Sequence, residues 1–436
     1  MLDVRCLVFG ALMSYICSQC GYGSISWMGK CPSCGAWQSF FEKKEEEEKK
    51  ITVKELKIIS LDKIPKIEKN RKKTGIFEID RVLGGGIVEG EIILLTGEPG
   101  VGKSTLLLQG LNQFRCLYIS GEESASQVAS RAKRLNINLK NFLFSETTQI
   151  EGIVTGLKEL KDKIDVLVID SIQTIYSEKI EAPVGNISQI KEVASQLTNF
   201  AKKNNLPVII VGHITKEGEV AGPKTLEHLV DCVLTFEGEK ESNFRFLRPS
   251  KNRFGPTDEI GIFEMKEEGL IPVDNPLVFL DEKKEEVGKA IVGVGEGKRV
   301  LFFEIQILTV PTILAIPRRI VKGLDYNKVL LLLAVAQKHL SLPLSQFDIY
   351  VNVVGGVNIK STASDLGFVA SLLSSIKNQP LPKTALFCGE VGLLGEVRKT
   401  YFEEKVINEG KRLGFSPIYS SKNLKNIRQL KEIFNF

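Results

Sequence analysis

The sequence predicts an α/β protein in which a mostly parallel central sheet is flanked by a small metal-binding module and a third globular block. Three observations indicate this fold class. Short β-rich runs alternate with longer stretches of helical periodicity in the middle of the chain, as in parallel strands joined by crossover helices. One run leads directly into a glycine-rich phosphate-binding motif, and two C-x2-C pairs lie near the N terminus.

The β-rich runs and the charged segments divide the chain into blocks. The predicted strands are EIILLTG, CLYISGE, DVLVIDS, PVIIVGH and DCVLTFEG, and residues 191–204 have helical periodicity. Every residue from 42 to 50 is charged, which is typical of a solvated linker. Two prolines follow an apparent edge strand at 271–276. The expected blocks are a four-cysteine module at 14–41, a charged linker at 42–64, a phosphate-binding domain at 65–272 and a third domain at 273–436.

Composition excludes several classes of protein. The 436 residues are 43% hydrophobic and 25% charged, and no apolar run approaches the roughly 20 residues that a membrane span needs. A net charge of +5 is too small for this length to indicate a nucleic-acid partner by itself. The cysteines outside the C-x2-C pairs are scattered among apolar neighbours, as expected in a reducing cytoplasm. The apolar stretch 7–13 lacks the cleavage site of a signal peptide; the alternative is a start at Met13, which leaves residues 1–12 outside the native protein.

A phosphate-binding loop is predicted at residues 97–104. The segment GEPGVGKS matches G-x-x-x-x-G-K-[ST], with a predicted strand before it and a predicted helix after it. Backbone N–H groups of such a loop wrap a triphosphate, Lys103 supplies a positive charge to the β- and γ-phosphates, and the Ser104 hydroxyl binds Mg²⁺. ATP and Mg²⁺ are therefore expected here, with nucleotide contacts from Gly97, Glu98, Pro99, Gly100, Val101, Gly102, Lys103, Ser104 and Thr105.

Other predicted strand ends carry the remaining polar groups of a nucleotide-hydrolysing site. Asp170 ends an apolar run and is expected to hold the magnesium ion. Glu122 and Glu123 follow the next strand after the phosphate loop, where a carboxylate would activate the attacking water. His213 is either a sensor of the γ-phosphate or a plain polar residue that ends its strand.

A metal site is predicted at the N-terminal cysteines. Four thiolates in two C-x2-C pairs suit structural Zn²⁺ and leave no open coordination position for catalysis. A module this small needs the metal for its folding free energy. The expected ligands are Cys17, Cys20, Cys31 and Cys34.

Two segments resemble the RadA/Sms family of bacterial recombination and repair proteins: residues 212–231 (GHITKEGEVAGPKTLEHLVD) and residues 251–255 (KNRFG). The resemblance covers nearly the whole chain and implies a zinc ribbon, a RecA-like ATPase and an α+β Lon-protease-like (ribosomal S5 domain 2-like) domain. It implies that Lys251 and Arg253 reach the nucleotide of a neighbouring subunit; a basic surface turn is the alternative. Matching CLYISGEE to RecA-like proteins favours Glu122 over Glu123 as the water-activating residue.

The resemblance also implies partners and a function. On this resemblance, the protein is expected to be a cytoplasmic, DNA-dependent ATPase motor that acts on single-stranded DNA and is similar to DnaB-type helicases. It is expected to extend strand exchange alongside the RecA recombinase. A site shared between subunits implies a homo-oligomer, expected to be a hexameric ring. Two alternatives stay open: an ATP-gated, non-translocating adaptor resembling KaiC, and an ATP-dependent Lon-type protease.

The third block resembles the Lon peptidase domain at residues 348–356 (DIYVNVVGG) and 388–397 (CGEVGLLGEV). Lon activity requires a serine nucleophile and a lysine base. Alignment places Ala363 at the serine position and Glu404 at the lysine position, and only a one-residue shift would bring in Ser364 and Lys405. Peptidase activity is therefore not expected.

DNA contacts are expected from basic side chains, provided that the fold gathers them on one face. Residues 176–186 and 216–224 follow predicted strands, and loops of this kind carry binding residues in many folds. Dispersed, solvated side chains are the alternative. The candidates are Lys216, Lys224, Lys298, Arg299, Arg318, Arg319 and Arg398.

Overall fold

The computed structural model describes residues 15–18, 22–42, 70–213, 226–238, 242–280 and 285–435. The chain divides into two compact units, residues 1–67 and 68–436. The predicted linker at 42–64 lies outside the described residues except for Glu42. No helix within the described ranges has both the length and the apolar character of a membrane span.

The first unit contains a three-stranded antiparallel sheet in the order β2–β1–β3. Its buried apolar core consists of Cys17, Cys31 and Phe40, which is too small to stabilise a fold by itself. Gly35 has a φ of 74° and donates its N–H to the Cys31 carbonyl at 2.9 Å, which closes a tight turn beside Cys34. The strands are β1 (Tyr15–Cys17), β2 (Gly23–Ser24) and β3 (Phe40–Glu42).

A nine-stranded sheet dominates residues 70–272, in the order β14–β13–β12–β11–β6–β10–β9–β7–β8. The six neighbouring strands β11, β6, β10, β9, β7 and β8 are parallel to one another. The other part of the sheet, from β11 through β12 and β13 to β14, is an antiparallel meander. The strands are β6 (Ile92–Gly97), β7 (Cys116–Ser120), β8 (Phe142–Ser145), β9 (Val166–Asp170), β10 (Val208–His213), β11 (Cys232–Glu237), β12 (Phe244–Asn252), β13 (Gly261–Lys266) and β14 (Gly269–Pro272), preceded by the separate pair β4 (Arg71–Lys72) and β5 (Ile87–Val88).

Helices cover both faces of this sheet, and a separate apolar cluster fills each face. The strands of the parallel part are buried almost throughout, as in sheets covered on both sides. The helices are α1 (Phe77–Val82), α2 (Lys103–Gly110), α3 (Ala125–Arg134), α4 (Ile150–Leu160) and α5 (Ile187–Asn204).

The predicted mostly parallel α/β fold is confirmed, and all five predicted strands are present as β6, β7, β9, β10 and β11. The helical periodicity at 191–204 corresponds to the greater part of α5. Strand β8 was not predicted, because FLFS is short and only partly buried at the sheet edge.

The C-terminal region forms a second, mixed sheet of six strands in the order β17–β18–β16–β15–β19–β22. The predicted boundary at 272/273 falls between the two sheets. The strands are β15 (Lys289–Glu296), β16 (Arg299–Pro311), β17 (Arg319–Lys322), β18 (Phe347–Val353), β19 (Leu386–Cys388), β20 (Glu390–Val391), β21 (Val397–Arg398) and β22 (Ile418–Ser420); the helices are α6 (Tyr326–Leu340), α7 (Asp365–Lys377), α8 (Glu403–Arg412) and α9 (Gln429–Ile433).

The two sheets are joined by a seam of buried and partly buried polar contacts, formed by the pairs Glu78–Arg299, Arg248–Glu296 and Ser242–Gly355. Arg299 at the start of β16 donates to both carboxylate oxygens of Glu78 in α1, at 3.0 and 3.2 Å. Burial raises the pKa of Glu78 and lowers that of Arg299, although their mutual attraction opposes both shifts. The remaining pairs are Arg248 with Glu296 at 2.8 Å and the Ser242 hydroxyl with the Gly355 carbonyl at 2.7 Å.

A buried arginine connects this seam to the phosphate loop. Arg245 in β12 donates from Nε to the Val101 carbonyl at 3.1 Å and from Nη1 to the carbonyl of Ser242 at 2.5 Å. The Ser242 hydroxyl in turn contacts Gly355 after β18. A continuous chain of hydrogen bonds therefore runs from the phosphate loop to the C-terminal sheet.

Candidate active site

The carboxyl ends of four adjacent parallel strands meet at one edge of the nine-stranded sheet. Strands β6, β10, β9 and β7 are neighbours in that order, with Gly97 opposite His213 and Ser120 opposite Asp170. Ligands of open α/β sheets bind at this edge, because the loops that leave the strands converge there. The sequence-predicted residues Lys103, Ser104, Glu122, Asp170 and His213 are brought together at this edge by the hydrogen bonds described below.

The phosphate loop between β6 and α2 has the backbone shape that its glycines permit. Gly100 and Gly102 have φ values of 80° and 109°, in the left-handed region that favours glycine. A Cβ at Gly97 would lie 2.4 Å from the Phe236 carbonyl oxygen, so the close approach of β6 to β11 requires glycine at this position. The loop leads directly into α2, whose first residue is Lys103.

Lys103 is held at the loop by backbone carbonyls. Its ammonium donates to the carbonyl oxygens of Gly97 at 2.9 Å and Glu98 at 3.1 Å, and lies 3.2 Å from His213 Nδ1. Burial lowers the pKa of Lys103, and the Asp170 and Glu122 carboxylates offset part of that effect. A cation held by weak carbonyl partners can move to a triphosphate at little cost.

The residues predicted to hold magnesium are in direct contact. The Ser104 hydroxyl donates to Asp170 Oδ2 at 2.9 Å, and Asp170 is buried. The Tyr118 hydroxyl donates to the same oxygen of Asp170. Burial, together with the negative charge of Asp170, raises the pKa of Tyr118 well above its usual value. A hydroxyl and a carboxylate oxygen beside a phosphate loop are the donor set that Mg²⁺ takes in such sites, so the residues present fit this ion.

The two neighbouring glutamates have different surroundings. Glu122 Oε1 lies 3.2 Å from His213 Nε2 and accepts a hydrogen bond from the Ser171 hydroxyl, so it faces the edge where the four strands end. Glu123 instead forms a bidentate ion pair with Arg131 of α3, at 2.5 and 2.6 Å. The geometry therefore favours Glu122 as the residue beside the reacting water.

Lys251 and Arg253 lie far from the phosphate loop of their own chain. The carboxyl end of β12 pairs with the amino end of β11, at the opposite edge of the sheet from the loop. The length of β6 separates the two edges, roughly 15 Å or more at ~3.3 Å per residue. Arg253 pairs with Asp231 at 3.0 Å, and Lys251 donates to the Val230 carbonyl at 2.8 Å. Neither side chain can serve the nucleotide of its own chain.

Three of the four predicted metal ligands form a cluster in the first unit. The sulfurs of Cys17, Cys31 and Cys34 lie within 4.8 Å of one another, and Cys17 Sγ is 3.7 Å from Cys34 Sγ. Tetrahedral zinc with bonds of about 2.3 Å needs sulfurs roughly 3.8 Å apart, so the cluster fits this ion. Cys20 lies outside the described residues.

Among the described residues, the basic side chains predicted to contact DNA differ in their exposure and in their partners. Lys216 and Lys224 lie outside the described residues. Arg318 is exposed, whereas exposed Lys298 is paired with Asp258 at 3.3 Å and exposed Arg398 with Glu396 at 2.5 Å.

Two of these predictions need correction. Only 11% of the Arg299 side chain is exposed, because its guanidinium is part of the seam with Glu78. The Arg319 guanidinium donates to the carbonyls of Leu344 at 2.7 Å and Phe347 at 2.6 Å, which fixes it to its own domain. Arg299 is therefore a structural residue, and Arg319 has little freedom to follow a phosphate backbone.

The candidate Lon positions do not form a serine–lysine pair. Ala363 and Ser364 are buried, and the Ser364 hydroxyl donates to the Ser361 carbonyl at 3.1 Å. Lys405 donates to the Lys298 carbonyl, and exposed Glu404 pairs with Lys399 at 3.2 Å. Neither Ser364 nor Lys405 contacts the other, and each bonds to a backbone carbonyl instead.

Sequence reasoning missed two residues of the site. Neither Tyr118 nor Arg245 was predicted to have a role in it. A buried phenol or guanidinium must find polar partners, but only the folded chain shows that these partners are Asp170 and Val101.

Comparisons with known proteins place the chain among repair proteins. A family model described as the KaiC ATPase matches residues 72–163, and one described as the rubredoxin metal-binding domain matches residues 15–42. The DNA repair protein RadA of Aquifex aeolicus is 43% identical, over 94% of each chain. The protein of the same name from Streptococcus pyogenes serotype M1 is 44% identical over 94% of this chain and 92% of the relative, and that from Rickettsia felis is 43% identical over 96% and 98%.

Proposed function

The chain belongs to the DNA repair protein RadA family, and from this premise we propose that it is a cytoplasmic, DNA-dependent ATPase motor that acts on single-stranded DNA in recombinational repair. The observation that carries the proposal is the meeting of Lys103, the Ser104–Asp170 pair and Glu122 at one edge of a RecA-like sheet. Each member of this set has a role in hydrolysis of a nucleoside triphosphate.

The chain's own residues divide the work of hydrolysis. Lys103 leaves the Gly97 and Glu98 carbonyls and binds the β- and γ-phosphates, while loop N–H groups hold the remaining oxygens. Bound Mg²⁺ neutralises phosphate charge; Ser104 and Asp170 are the residues that would hold it. Glu122 orients the attacking water and accepts its proton at Oε1. His213 lies between Lys103 and Glu122, so it is placed to sense the γ-phosphate.

The positions of Lys251 and Arg253 support a site shared between subunits. Both lie at the sheet edge opposite the phosphate loop, where a neighbouring copy of the chain in a ring would meet them. We propose that they stabilise phosphoryl transfer in trans and that the protein forms a homo-oligomeric ring, as a hexamer. Branch migration alongside the RecA recombinase is the role that we propose for this motor; membership of a family of DNA repair proteins supports a role in repair.

An ATPase assay with and without single-stranded DNA tests the motor. We expect hydrolysis that DNA stimulates, that high salt suppresses and that Lys103→Ala abolishes. The matched control is Lys140→Ala, an exposed lysine outside the site, which should retain wild-type turnover. Unchanged hydrolysis in Lys103→Ala would contradict the assignment of the site.

Mixing variants tests the shared site. Lys103→Ala and Arg253→Ala are each expected to be inactive, yet an equimolar mixture should regain about one quarter of wild-type turnover. An intact site needs Lys103 from one subunit and Arg253 from its neighbour, and random assembly supplies both at about one quarter of the interfaces. A mixture that stays inactive, although both variants assemble, would place Arg253 outside the catalytic site.

A second candidate function is an ATP-gated adaptor that does not translocate. The match of residues 72–163 to the KaiC ATPase model favours it. Ring assembly and ATP hydrolysis without strand unwinding or DNA stimulation would support the adaptor over the motor.

A further inference from the structure

Tyr118 contributes a hydroxyl group to the interior of the nine-stranded sheet. It lies in β7, is 1% exposed, and its ring stacks on Phe144 of β8 with centroids 6.3 Å apart. Phenylalanine would fill the same space and supply the same apolar contacts. A buried hydroxyl costs free energy unless it has a partner, so the partner of this phenol is informative.

That partner is the carboxylate predicted to hold magnesium. The phenol donates to Asp170 Oδ2, which also accepts the hydrogen bond from Ser104 Oγ at 2.9 Å. A carboxylate has only acceptor atoms, so the phenol must be the donor. The two donors approach the oxygen from different elements, Ser104 from α2 and Tyr118 from β7.

The two hydroxyl groups differ in what they do when the site is loaded. Ser104 is the residue whose oxygen would turn from Asp170 toward the ion, which removes one of the two donors from Oδ2. The Tyr118 ring is buried within β7 and cannot turn away, so its hydroxyl remains on Oδ2. Groups that hold a metal-binding carboxylate in this way orient it and tune its affinity for the ion.

We propose that Tyr118 is a positioning residue that fixes the Asp170 carboxylate for magnesium binding. This inference rests on the proposed function, because it assumes that Ser104 and Asp170 bind the ion of an ATP complex. Tyr118 touches neither the nucleotide nor the attacking water in this assignment.

The test uses Tyr118→Phe in the full-length chain and measures metal binding directly. Mn²⁺ is titrated into the protein–ADP complex and followed by electron paramagnetic resonance. We expect Mn²⁺ affinity to fall about tenfold or more, the usual effect of removing such a partner. The Mg²⁺ concentration for half-maximal ATP hydrolysis should rise by a similar factor, while kcat at saturating Mg²⁺ and ADP affinity in excess chelator stay near wild type.

Two further variants separate the explanations. Phe144→Leu perturbs packing around the same ring but keeps the hydroxyl, so it should leave Mn²⁺ affinity unchanged; an equal loss would show that packing is responsible. Asp170→Asn should itself weaken Mn²⁺ binding, and Tyr118→Phe should add nothing in that background. If Asp170→Asn has no effect, the proposed magnesium site fails. If Asp170→Asn weakens binding but Tyr118→Phe does not, only the role of Tyr118 is overturned.

Discussion

Glu122 and Glu123 are neighbours in sequence with different tasks in the folded chain. Glu123 forms a bidentate ion pair with Arg131, which connects the C-terminal half of α3 to the loop that follows β7. Glu122 lies between His213 and Ser171, beside the phosphate loop. A group engaged by an arginine has little capacity left to accept a proton from water, so the two carboxylates are not interchangeable.

We therefore expect Glu122→Gln to lower ATP turnover by roughly 100-fold or more, the usual contribution of a general base. ATP binding should be retained, because Lys103 and the loop are unchanged. Single-turnover hydrolysis and equilibrium binding of a fluorescent nucleotide check the two parts. Glu123→Gln is the matched control and should keep most of the wild-type turnover; an equally large loss in that variant would remove the distinction.

Single residues were predictable where a local motif determines their role. The roles of the phosphate loop and of Asp170 were predictable from neighbouring residues in the sequence. The loop has its glycines and lysine in one short motif, and Asp170 directly follows an apolar run. Arg299 could not be placed in this way. Its partner Glu78 is 221 positions away, so a pair of basic residues at 298–299 gives no sign that one is buried and the other exposed.

At the level of elements, the three-stranded unit that contains the cysteines, here called the ribbon, and the nine-stranded sheet are stabilised differently. Except for β8 at the sheet edge, the parallel strands are buried on both faces, so their apolar runs were recognisable in the sequence. The ribbon strands have two or three residues each, and among the described residues of this unit only Cys17, Cys31 and Phe40 form a buried apolar cluster. With so small a core, the arrangement of the ribbon strands depends on the cysteine sulfur cluster. That cluster was predicted from the spacing of the cysteines in the sequence.

Removal of the metal should unfold the ribbon while leaving the ATPase and C-terminal sheets folded. Both tryptophans of the chain lie in the ribbon, so intrinsic tryptophan emission reports on this unit alone. Trp27 donates to the Phe40 carbonyl at 3.2 Å, and Lys30 lies over the Trp37 ring. A chelator should shift the emission, while the far-ultraviolet circular dichroism of the remaining chain persists.

Matched cysteine variants test whether the sulfur cluster holds the ion. Cys31→Ser should lose bound metal, whereas Cys116→Ser, at a buried cysteine of β7, should retain it. Elemental analysis of the purified variants measures this difference. Equal metal content in both would show that the ion is bound elsewhere.

At the scale of the whole molecule, the seam helps to hold together the two large sheets of residues 68–436. Glu78 and Arg299 have side chains that are 1% and 11% exposed, and Arg81 lies 3.7 Å from the same Glu78 carboxylate. Removing one member of a buried pair leaves the other charged and poorly solvated, which is far more costly than losing a surface contact.

Arg299→Leu is therefore expected to lower the free energy of unfolding by about 3–5 kcal/mol. Glu78→Gln combined with Arg299→Leu should recover part of this loss, because no unpaired charge stays buried. Denaturant unfolding of the single and double variants measures the coupling. Lys298→Leu, at the exposed neighbour, is the control and should leave the midpoint nearly unchanged. A wild-type midpoint for Arg299→Leu would contradict the structural role of the seam.

The hydrogen bonds of Arg245 have a mechanical consequence. Its guanidinium donates to the Val101 carbonyl in the phosphate loop and to the Ser242 carbonyl. The Ser242 hydroxyl in turn donates to the carbonyl of Gly355, in the turn after β18. The phosphate loop and the turn at Gly355 are thus connected through two buried residues, Arg245 and Ser242. A displacement of the loop backbone at Val101 would therefore be passed to the turn at Gly355 through these two side chains.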